Sequence, residues 1–76
     1  MSDPDVLSLP DLLEALTDAA GLLDQVVEHL VIHQHAQEDS GRMVELHSIE
    51  GFTAQGWAHT RVAMTRLTEY LAVKDA

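Results

Sequence analysis

The chain has 76 residues, a formal net charge of −9, 46% hydrophobic residues and no cysteine. That length allows one domain with a thin core, and a chain this short buries only roughly 60% of its unfolded surface. The absence of cysteine excludes disulfides and every cysteine-based zinc site, so support must come from a second subunit, a His/carboxylate metal site or regular helix packing. No apolar run approaches the ~20 residues of a membrane span, so no membrane contact is expected. The acidic start Met1-Ser2-Asp3-Pro4-Asp5 is unlike a basic targeting segment and gives a cytoplasmic expectation.

Charge is distributed unevenly. Nine carboxylates precede Arg42, the first basic side chain, while the acids after it balance Arg42, Arg61, Arg66 and Lys74. Four bases against an acidic half disfavour direct nucleic-acid binding.

Residues 1–7 read as a short acidic tail, and residues 8–76 as a single helical domain. Ser8 suits the N-cap position, with Asp11 as the acidic member of a capping box and Pro10 inside the first turn. From Leu9 a seven-residue period runs to about residue 39. Leu9, Leu16, Leu23 and Leu30 form one inner row. Leu12, Ala19, Val26 and His33 form the expected partner row, and Leu13, Ala20 and Val27 widen the stripe. Every acid from Asp11 to Asp39 falls on the other heptad positions, as expected of a helix packed on one side and wet on the other. Val31 and Ile32 put apolar surface on the wet side. Ser40-Gly41 reads as the helix stop, with Gly41 in a left-handed cap and a turn over residues 40–42.

The second half, about residues 43–73, is also helical. Met43, Leu46, Trp57, Met64, Leu67 and Leu71 share a face, with Thr53 and Thr60 between them. Two readings stay open: one continuous helix, or a break near Gly51–Gly56 with a new start capped by Thr53. The cost of two glycines in a helix interior favours the break. The expected fold class is therefore all-α, an antiparallel helical hairpin. The broad apolar stripe calls for more cover than one helix supplies, so a homodimeric four-helix bundle is expected.

A hairpin folded at this turn brings together residues whose numbers sum to about 81. Trp57 then falls near Leu23 and Val27. His29, His33, His47 and Glu50 fall near the loop end, where three imidazoles and a carboxylate could hold zinc or a similar metal. The competing reading is the stronger one: a half-buried Glu50 pairs with a protonated histidine, or both reach solvent at a frayed helix end. His35 and His59 read as exposed. Protonating all five histidines would bring the formal charge from −9 to −4, so acidification should favour association. Arg61 and Arg66 are expected to pair with acids on a neighbouring helix.

Motifs for nucleotide binding, nucleophilic catalysis or zinc hydrolysis are missing, and a thin bundle leaves little room for a water-excluding pocket. The chain reads as no enzyme. It reads as an acidic helical interaction or regulatory module that presents Asp11, Glu14, Asp18, Asp24 and Glu28, with Val31, Ile32 and Phe52, to a partner with a basic surface. The alternatives are an acidic DNA mimic that inhibits a DNA-binding protein, and a small His/Glu metal-binding protein.

Overall fold

The computed structural model describes residues 6–75. The expected tail lies mostly outside the described residues; its last two, Val6 and Leu7, are exposed. Two helices make up the structure, α1 (Leu9–Ala36) and α2 (Ser40–Asp75), packed as an antiparallel hairpin. Among the described residues there is no strand, and no helix is long and apolar enough to cross a membrane.

The start of α1 follows the sequence expectation at Ser8 but not at Asp11, whose carboxylate takes no bond from the Ser8 N–H and so leaves the capping box half made. Ser8 is extended, and its Oγ accepts the Asp11 N–H at 3.2 Å. Pro10 stands in the first turn, where a missing N–H leaves no bond unmade. The far end differs from expectation. The linker is residues 37–39, not 40–42, and Gly41 is already helical. The reason is that Asp39 acts as an N-cap. Its Oδ1 accepts the N–H of Gly41 at 2.9 Å and of Arg42 at 3.2 Å, and its carbonyl accepts the Met43 N–H. α1 itself ends without glycine: Gln37 is extended, and its N–H donates to the Gln34 carbonyl. No described residue has positive φ.

α2 is also unbroken, against the expectation of a break near Gly51–Gly56. Thr53 caps nothing; its hydroxyl donates back to the Ile49 carbonyl at 2.8 Å, and Thr60 donates likewise to Gly56 at 2.7 Å. Both threonines thus serve the helix interior. Packing of Leu46, Trp57, Met64, Leu67 and Leu71 along α1, all half-buried, offsets the cost of the two glycines.

One side-chain contact across the loop end marks the hairpin register. His47 Nδ1 lies 3.2 Å from Gln34 Oε1, a pair whose numbers sum to 81. The rotation of α1 is what the sequence misplaced. Its inward side carries Leu9, Leu16, Leu23 and Leu30 together with Leu13, Ala20 and Val27, all buried or half-buried. Leu12, Val26 and His33 of the expected partner row are exposed, and Ala19 is half-buried. Ala20, at 5% exposure, is the only buried hydrophobic residue among those described.

Candidate functional site

Two surfaces of the hairpin carry the candidate residues. The first is the acidic ridge. Asp11, Glu14, Asp18, Asp24 and Glu28 are all exposed on α1. Their carboxylates take no hydrogen bond or ion pair from another described residue. The ridge winds around the helix. Asp11 and Asp18 point away from α2, while Asp24 turns to the seam, where Thr17, Gly21 and Asp24 line a groove with Trp57 and Arg61.

Among the described residues neither arginine pairs with an acid across the seam. The Arg61 guanidinium lies over the Trp57 ring, 5.2 Å from its centroid, a cation–π contact worth about 0.5–1 kcal/mol at an exposed site. Arg66 shares a groove with Val62, Thr65 and Glu69 of its own helix. Trp57 itself is half-buried in a groove with Ala20, Gly21 and Asp24, within one to two turns of Leu23 and Val27.

The apolar anchors are not gathered beside the ridge. Val31 is half-buried in the seam; Ile32 is 58% exposed on the outer side of α1; Phe52 is 72% exposed on α2.

The second surface is an apolar flank that sequence reasoning did not single out. The groove of Thr17, Gly21, Asp24 and Arg61 marks one lip of the seam. At about 100° per residue, Leu12, Ala19 and Val26 lie on the far side of α1 from that lip, and Ile49, Gly56 and Ala63 on the far side of α2 from Arg61. Both rows therefore border the other lip and form one face. Leu22 at 62% and Val26 at 45% exposure lie on it. A shallow groove of about 340 Å³ along α1, lined by Leu22, Val26, Leu30, Gln25, His29 and His33, continues it toward the loop. The available signal was the row Ile49, Gly56, Ala63, Tyr70, which repeats every seven residues beside the inner row.

The histidine cluster does not assemble. His29 and His33 stand on the apolar flank, and His33 is exposed, not inward. His47 is engaged by Gln34 and lies toward the opposite lip, while Glu50 is half-buried. Among the described residues no three His, Asp or Glu side chains group closely enough to hold a metal ion. Gln34 Nε2 is buried with no protein partner. His35 and His59 are exposed, and His59 Nδ1 lies 2.8 Å from the Gln55 carbonyl oxygen, one turn back.

No protein-family model matches the chain, and neither a curated protein nor a solved structure matches it.

Proposed function

We propose that this protein is a non-enzymatic helical interaction module whose acidic ridge binds a basic protein surface. One observation carries the reading. Five carboxylates stand exposed along a regular 28-residue helix, and none is neutralised by a described basic neighbour. Charges held on a rigid element and left unpaired create a local negative field that steers cationic partners. A non-catalytic role is supported by the shape of the molecule. Its grooves are open and almost nothing is fully buried, whereas chemistry on a substrate needs a site that excludes water.

The test is capture of basic proteins from a cell extract by the wild type and by the Asp18→Asn/Asp24→Asn/Glu28→Gln variant. The helix content of the variant should match the wild type, because all three side chains are exposed. Capture at low salt should fall at least tenfold. Equal capture would reduce the ridge to a solubility device. A captured partner that duplex DNA displaces, and whose binding falls steeply with salt, would instead identify the ridge as an imitation of a phosphate row.

A further inference from the structure

We propose that a second copy of this chain packs on the apolar flank formed by Leu12, Leu22 and Val26 of α1 and Ile49 and Phe52 of α2, closing two hairpins into a four-helix bundle. The inference does not depend on the acidic-ridge reading, because the apolar strip it uses carries no ridge residue.

Area is the first argument. The chain exposes 6097 Å², against about 4,600 Å² for a compact folded monomer of its 8.4 kDa mass. The excess, about 1,500 Å², is more than the ~800 Å² that a standard interface removes from each partner. It falls within the range of obligate homodimers. The radius of gyration agrees: 17.1 Å, where a compact chain of this length would have about 11 Å. Leu22, Val26, Ile49 and Phe52, 45–72% exposed, supply apolar surface that a single hairpin leaves uncovered.

Charge is the second argument. Each copy carries a formal −9, so self-association requires a face from which the acids are absent. Asp24 faces the opposite lip, Glu14 and Glu28 lie on the outer side, and Asp11 and Asp18 only border the flank at its outer edge, whereas the strip Leu12, Ala15, Ala19, Leu22 and Val26 carries no acid. Glu45 shares a groove with Ile49 but sits at the loop end, with Arg42 in the same groove. Small residues at Ala19 and Ala63 let two hairpins approach closely at the middle of the face. A twofold axis then places the same patch on both copies, the closed arrangement that soluble homodimers adopt.

Native mass spectrometry and light scattering on the untagged chain at about 100 µM provide the test. The wild type should have twice the 8.4 kDa chain mass. Leu22→Glu/Val26→Glu should raise the dissociation constant on the order of 100-fold, since it buries charge in the interface. Ile32→Glu, on the outer side of α1, should leave the dimer intact. The charged variant risks unfolding along with dissociation, so Phe52→Ser supplies a second reading. At 72% exposure that side chain supports little within one hairpin, and its loss should weaken association while helix content is kept. A wild type of single-chain mass, or a dimer untouched by both flank variants, would overturn the proposal. The amide variant of the ridge should remain a dimer, so failure of one idea is distinguishable from failure of the other.

Discussion

Asp39 holds the start of α2 with a single carboxylate oxygen that accepts two backbone N–H groups, from Gly41 and Arg42. An N-cap of this kind contributes about 1 kcal/mol. Asp39→Ala should therefore lower unfolding free energy by about 1 kcal/mol in urea denaturation, and Asp39→Asn should restore most of it. No change on Asp39→Ala would mean that the loop is held by other bonds, such as the Gln37 side chain on the Asp39 N–H. The sequence around this cap is ambiguous by chemistry. Asp-Ser-Gly can end one helix or begin the next, and only the observed bonds choose between them. Ser8 is different, because the Asp- and Pro-rich sequence before it offers no helix to end, and its role was legible from position alone. At Gln34 and His47 the register argument reached the right neighbourhood. It could not foresee that an amide, not a second imidazole, would meet His47, because that depends on the rotation of α1 about its axis.

Continuity of α2 is the main feature at the scale of elements. Its 36 residues pass through Gly51 and Gly56 without a change of geometry. Neither glycine is required by close packing: a Cβ at Gly21, Gly51 or Gly56 would meet nothing within 4 Å. Replacing Gly21 or Gly51 by Ala should therefore stabilise the fold by about 0.5–1 kcal/mol each, the helix-propensity difference. Chemical denaturation checks this directly, and destabilisation at Gly51 would show that the helix bends or opens there. Glycine content argued for a break because propensity is a local quantity. The half-buried row from Leu46 to Leu71 outweighed it, since each turn that packs on α1 stabilises the helix along its length. Little net amphipathicity remains in α2, because apolar side chains occupy both its seam and its apolar flank.

For the whole molecule, the governing facts are elongation and charge. The hairpin measures 56 × 25 × 14 Å, a slab one helix thick, and α1 has five acids and no base, while the four acids of α2 are balanced by four bases. Self-repulsion at −9 opposes folding and association alike, and salt screens it. Raising salt from about 50 to about 500 mM should raise the thermal midpoint by about 4–8 °C, a shift of order 1 kcal/mol for a chain of this size. A midpoint that falls with salt would mean that attractive ion pairs dominate. The same change should weaken binding of a basic partner, so stability and partner affinity should move in opposite directions. Sequence by itself determined the helical class, the cap at Ser8, the Leu9–Leu30 row, the hairpin register and the inward row of the second half from Leu46 to Leu71, though not its expected first member Met43, which is 40% exposed. Each of these follows from spacing along one helix or from the length of one turn. Tertiary structure alone decided that Leu13, Ala20 and Val27 face inward while Leu12, Val26 and His33 do not, and that Val31 enters the seam while Ile32 stays outside. A three-row stripe is wider than one partner helix can cover. Which flank is left open depends on the rotation of α1 against α2, and that rotation is set by packing between the helices and not by the period of either one.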